Sequence, residues 1–101
     1  MSTSTVSMEV AAAVSIAVSD EALTATLEDG RVISVPTDWY PRLLHSSQAE
    51  RDNWELIAFG EHIHWPDLDE DLSVKGLLAG WPSGESENSF HRWLEARRST
   101  G

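Results

Sequence analysis

The apolar and polar positions of this chain change period along its length, and each change predicts a new element. VSIAVSD (14–20) alternates Val14, Ile16 and Val18 with Ser15, Ala17 and Ser19, and ALTATLEDG alternates Leu23, Ala25 and Leu27 with Thr24, Thr26 and Glu28. Period two is the mark of a half-buried strand, so both runs are predicted strands, joined as a hairpin through Ser19, Asp20 and Glu21. Asp29-Gly30 is a tight-turn signal before a third run, Val32 to Val35, which Pro36 ends because it has no N–H for a ladder. The expectation is a three-stranded antiparallel meander.

From Thr37 the period becomes helical. Trp39, Leu43 and Leu44 form a stripe, Thr37 or Asp38 is the expected cap, and Pro41 falls in the first turn, where its missing donor is tolerated. Ser46 or Ser47 is expected to cap a second short helical turn reaching Arg51. WELIAFGEHIHWP then reads as a short strand pair around Gly60, with Glu61, Ile63 and Trp65 facing one way on the second strand and His62 and His64 the other. Ser73 is the expected cap of a short helix, VKGLLA, that ends at Gly80, with Asp69, Glu70 and Asp71 just ahead of its positive dipole end. Beyond Trp81 the turn-rich PSGESENS leads to SFHRWLEARRS, where Phe90, Trp93, Leu94 and Arg97 return to helical spacing. The predicted fold class is α+β: an antiparallel three-stranded meander plus a short strand pair, short helices and a C-terminal helix. Its expected organisation is a disordered N-terminus over 1–8, a small α+β domain over 9–80, and a linker with the C-terminal helix over 81–101. That helix is expected to dock on the domain or to join two copies as a homodimer.

Composition narrows the function. A chain of 101 residues forms one core and no deep two-lobed cleft, so a site is shallow or shared with a partner. The net charge of −10 repels phosphate backbones and anionic membranes, which predicts no direct nucleic acid and no membrane partner. Acids outnumber bases five to one over 1–37 and nine to three over 38–80, but are matched three to three over 81–101, so the charge belongs to the body of the domain. Cysteine is absent, which excludes disulfides, thiolate metal sites and cysteine nucleophiles. The N-terminal segment carries Glu9, has no basic flank and never reaches about twenty apolar residues, so a cytoplasmic protein is expected.

The densest candidate chemistry is HIHWPDLDED, residues 62–71. His62, His64 and Asp67 form a conceivable ligand set for a metal-dependent enzyme, but histidines two apart on a strand are frequent by chance and Pro66 redirects the chain before Asp67. Asp67, Asp69 and Asp71 imitate the opening of a calcium loop, which fails because Leu72 stands where the turn glycine belongs and Leu78 where the bidentate Glu belongs. No nucleophile elbow, P-loop or dinucleotide fingerprint is present, so no catalytic residue, metal or cofactor is assigned. A binding role fits better: Trp39, Tyr40 and Arg42 are of the types enriched at interface hot spots, and His64, Asp67, Asp69, Glu70 and Asp71 form a charged edge that would steer a basic protein. Phage-type inhibition of a nucleic-acid-binding defence complex by acidic mimicry of nucleic acid is the alternative use of the same charge. Of Trp39, Trp54 and Trp65, at least two are expected in the core.

From Asp29 to Gly80 the chain resembles a small bacterial family, domain of unknown function 2442, through VP..WYPRL, ER.NWEL, IHWPDLDEDLSV and GLLAG, which keep their order and spacing. The resemblance implies a small α+β domain of a kind found alone, fused to a helix-turn-helix, or encoded beside a small basic partner in pairs resembling toxin and antitoxin. It therefore implies an acidic, antitoxin-like or regulatory partner that masks a basic effector. The tail after Trp81 is too short for a helix-turn-helix. His64 belongs to the family motif and His62 does not.

Overall fold

The computed structural model of the chain describes residues 11–100, so the expected disordered segment 1–8 lies outside the described residues. The meander is present as β1 (Ala13–Val18), β2 (Ala22–Leu27) and β3 (Val32–Pro36), antiparallel in that order. Ser19 tightens the first turn by accepting from the Ala22 N–H at 3.1 Å. Gly30, at φ 94°, takes the left-handed position of the second. Leu23, Ala25 and Leu27 point inward as expected, but Val14 does not. A β-bulge between Ala13 and Ser15 resets the register there, so Ala13 is buried and Val14 faces solvent.

Thr37 and Asp38 cap nothing. Thr37 to Trp39 form a 3₁₀ turn, and the fully buried Thr37 hydroxyl donates to the Ser19 carbonyl at 2.8 Å. Helix α1 (Pro41–Leu44) starts on Pro41, and α2 (Gln48–Asp52) starts on Ser47. Ser47 and Glu50 form a reciprocal capping box, at 3.1 Å to the Glu50 N–H and 2.9 Å back to the Ser47 N–H.

A second antiparallel sheet follows: β4 (Glu55–Ile57), β5 (His62–Trp65) and β6 (Glu70–Ser73). The expected strand pair is thus three strands, because Glu70 to Ser73 pair with β5 rather than waiting as a coil before a helix. Ser73 still caps α3 (Val74–Ala79) by accepting from the Gly76 N–H at 2.9 Å, and Gly80 closes it in the left-handed conformation at φ 78°. The C-terminal helix, α4, spans Glu87–Thr100.

One core joins the sheets. Ile16, Leu23, Leu27 and Val35 meet Tyr40 and Leu43 from the helical link and Ile63, Trp65, Leu68, Val74 and Leu77 from the second half. Trp65 is fully buried and donates its indole N–H to the Arg51 carbonyl at 3.0 Å, so the largest core side chain leaves no polar atom unmatched. Trp39 and Trp54 pack partly buried against this core. Arg51 is itself buried, and its guanidinium donates to the Leu43 and Leu44 carbonyls at the end of α1 and to Asp20 at 2.7 Å. Helix α4 docks on the same domain: Arg97 pairs with Glu50 at 2.8 Å, and the guanidiniums of Arg42 and Arg97 lie over the Trp93 ring, 5.2 and 4.6 Å from its centroid. Among the described residues no helix is long and apolar enough to cross a membrane.

Candidate functional site

The run PDLDED is a hairpin loop followed by a strand, and that register scatters its carboxylates. Pro66 to Asp69 turn the chain between β5 and β6. Leu68 plugs the core from inside this loop with no exposure, and its N–H donates to the Trp65 carbonyl at 3.1 Å. Asp69 takes the left-handed conformation at φ 51°, which Asp tolerates better than most side chains. Asp67 and Asp69 flank the buried leucine and remain exposed. On β6, Glu70 sits opposite Trp65 and Asp71 opposite His64, so the two acids point to opposite faces. The expected placement of Asp69, Glu70 and Asp71 as dipole partners of the Ser73-capped helix is therefore replaced by strand pairing of Glu70 and Asp71 and by a loop position for Asp69.

The outer face of this sheet carries a row that crosses all three strands. Glu55 pairs with His64 and His64 with Asp71. The His64 ring nitrogens lie 2.6 Å from Asp71 Oδ1 and 4.0 Å from Glu55 Oε2, while both carboxylates remain more than half exposed. The next row is Ile57, His62 and Ser73. Asp67 turns away and accepts from Asn53 at 2.9 Å, so it does not join the two histidines. Among the described residues no group of three or more His, Asp or Glu is arranged to hold a metal ion.

The inner face holds a different arrangement. Arg42, with its side chain 15 % exposed, grips Glu85 through Nη2 at 2.6 Å and Nε at 3.0 and 3.1 Å, and donates from Nη1 to the Leu68 carbonyl at 2.9 Å. This hydrogen-bonded pairing raises the Arg42 pKa and lowers that of Glu85. Glu70 lies beside the pair, but Arg42 is aimed at Glu85 and at carbonyls. Burial therefore dominates and lifts the Glu70 carboxyl to about 7; the nearby Arg42 charge opposes the rise, and Glu85, Asp71 and Asp69 add to it. Glu70 borders a cleft of about 190 Å³ against Tyr40, Gly76 and Trp81 and an open depression of about 330 Å³ beside Arg42 and Glu85. The first is smaller than the roughly 300 Å³ at which drug-sized ligand pockets begin.

Of the expected anchors, Tyr40 is 1 % exposed, and its hydroxyl donates to the Trp81 carbonyl at 2.9 Å. Its ring is core, because position 40 leads into α1 against Leu43 and the second sheet. Trp39 is half-buried, and Arg42 is a clamp between α1, the Leu68 loop and Glu85. His64, Asp67, Asp69 and Asp71 remain on the outside, and of the four acids expected to form the charged edge Glu70 turns inward. Two outer-face residues were not singled out from the sequence. Glu55 is legible only once the β4–β5 register is known. Phe59, 99 % exposed, was signalled only by its place beside a turn glycine.

Comparison with known proteins agrees with this fold. A family described as "Protein of unknown function (DUF2442)" matches residues 13–83. A crystal structure of a protein of unknown function from Rhodospirillum rubrum is similar with 25 % identity and a TM-score of 0.66, over 76 % of this chain and 95 % of that one. A solution structure of an uncharacterized protein from Chromobacterium violaceum is similar in fold, with 18 % identity and a TM-score of 0.65 over 82 % of this chain and 78 % of that one. No curated protein matches.

Proposed function

The chain belongs to the DUF2442 family of proteins of unknown function, and from that premise we propose that it is a non-catalytic binding domain whose acidic outer face engages a basic protein, as an antitoxin-like or regulatory partner. The observation that supports this reading is the separation of charge. Arg42, Arg51 and Arg97 turn their guanidiniums onto Glu85, Asp20, Glu50 and backbone carbonyls of the same chain. Glu55, Asp67, Asp69 and Asp71 stay exposed around His64 on the second sheet and its loop. Residues 55–73, which form the second sheet and its loop, contain no Lys or Arg, so the surface this sheet offers to a partner is negative, which favours steering of a cationic surface and disfavours phosphate.

The test is reconstitution. A protein retained by the full chain from its native host at low salt is purified and titrated against wild type and against a variant carrying Glu55→Gln, Asp67→Asn and Asp71→Asn together. The expected result is a basic partner whose affinity falls with added salt and falls at least tenfold in the variant. An unchanged affinity in the variant, or a partner of net negative charge, overturns the proposal. Competition with DNA or RNA fragments for the same partner separates mimicry from simple masking.

A further inference from the structure

Among the described residues, the turn between β4 and β5 combines consecutive left-handed residues with the most exposed large apolar side chain. Ala58, Phe59 and Gly60 are left-handed in succession, at φ 53°, 59° and 84°. Only Gly takes that region without a steric penalty, so two of the three residues are held there against their preference. The turn is nonetheless fixed. A Cβ on Gly60 would stand 2.8 Å from the Ala13 carbonyl oxygen and 2.9 Å from the Ala12 Cβ, so the turn is pressed onto β1 with no room to shift. The Glu61 N–H donates to the Ala58 carbonyl at 3.1 Å, and the Glu61 carbonyl accepts from the Val74 N–H at 3.0 Å. Held this way, the Phe59 ring is 99 % exposed, and Ile57 beside it is 42 % exposed.

We infer that Phe59 and Ile57 form an apolar plug that seats in a hydrophobic pocket rimmed by Lys or Arg on a basic protein. Aromatic anchors of low side-chain entropy on a rigid support are what an interface hot spot requires. Charge selects the occupant. Ile57 is two residues from Glu55 on the same strand face, and Glu61 follows the turn, so the plug is flanked by carboxylates and continuous with the Glu55–His64–Asp71 row. A second copy of a chain of net charge −10 would bring like charge to the same place. A cationic rim around an apolar pocket matches both parts.

This inference rests on the binding role proposed above and goes beyond it by naming the anchor. The experiment places the photo-crosslinking residue p-benzoylphenylalanine at position 59, at position 62 on the acidic face, or at position 32, an exposed site on the other sheet, in the full chain expressed in its native host. Crosslinking from 59 to a protein of net positive charge, mapped to an apolar residue near Lys or Arg, with none from 32, is the expected result. The crosslinked protein, purified, should then bind Phe59→Ala at least tenfold more weakly while the thermal midpoint of the free variant does not fall. A basic protein crosslinked from 62 but not from 59 overturns the plug and leaves the acidic-face proposal standing. A self-crosslinked dimer from 59, equal yields from 59 and 32, or unchanged affinity of Phe59→Ala also overturns it. No adduct from either 59 or 62 overturns both.

Discussion

Replacing Glu70 by Gln removes a carboxylate that the fold holds in an unfavourable place, and the consequence has a defined pH window. The carboxyl is raised from 4.5 to about 7, first by burial and then by Glu85, Asp71 and Asp69, against the attraction of Arg42. With the folded pKa above the unfolded one, the native state holds the extra proton between about 4.5 and 7. Stability from this group is therefore complete below the unfolded pKa and is lost as pH rises through the folded value. At about 1.36 kcal/mol per unit the full difference has an upper limit of about 3 kcal/mol, and residual solvent contact reduces the expected loss to about 2 kcal/mol. Glu70→Gln keeps the shape and has no proton to lose. The assay is urea unfolding followed by tryptophan fluorescence at pH 4.5 to 8, with wild type and variant compared at each pH so that the histidines cancel. The variant should gain about 2 kcal/mol on wild type across this window, most of it between pH 5 and 7.5. Parallel stability curves, or a carboxyl resonance of Glu70 that titrates below 5, would refute the reasoning. The lowered pKa values of Glu50 and Glu85 act elsewhere: their stabilisation is present above the unfolded carboxylate range and is lost only as pH falls through the lower folded values.

Gly60→Ala combines a left-handed backbone with a 2.8 Å clash onto β1 and should cost about 3 kcal/mol in urea unfolding, whereas Gly84→Ala, whose Cβ meets nothing within 4 Å, should change stability by less than about 1 kcal/mol. Leu68→Ala empties a fully buried loop position and should cost about 2–4 kcal/mol; a smaller loss would mean that the loop is not a core plug. Arg42→Met alone leaves Glu85 partly buried without its cation and should cost about 3 kcal/mol and shift the emission of Trp93. Adding Glu85→Met should recover much of that loss, and a double-mutant cycle coupling near zero would show that the pair does not hold α4.

Much of the fold was legible because its signals are local. The alternation of Leu23, Ala25 and Leu27, the Ser47 and Ser73 caps, Pro41 opening α1 and Gly80 closing α3 each act over four residues or fewer, so the sequence carries them in full. Val14 went astray because a bulge is an agreement between two strands and shows in neither alone. The third strand of the second sheet was hidden because DEDLS lacks the apolar alternation of a strand. It is held there by its β5 partner, and its acids are tolerated because one face is open to water.

The candidate site depended on such agreements even more. The sequence determined that the protein is acidic, lacks cysteine chemistry, and concentrates carboxylates around His64. Only the tertiary structure decided which way each carboxylate points, since a shift of one residue in the β5–β6 register would exchange Glu70 and Asp71 between core and solvent. The same holds for Tyr40 and Arg42, whose types suit an interface but whose surroundings make them core and clamp. Composition fixes how much charge and aromatic surface a chain has. Where that surface faces is set by contacts between residues far apart in sequence, such as Arg42 with Glu85 and Gly60 with Ala13.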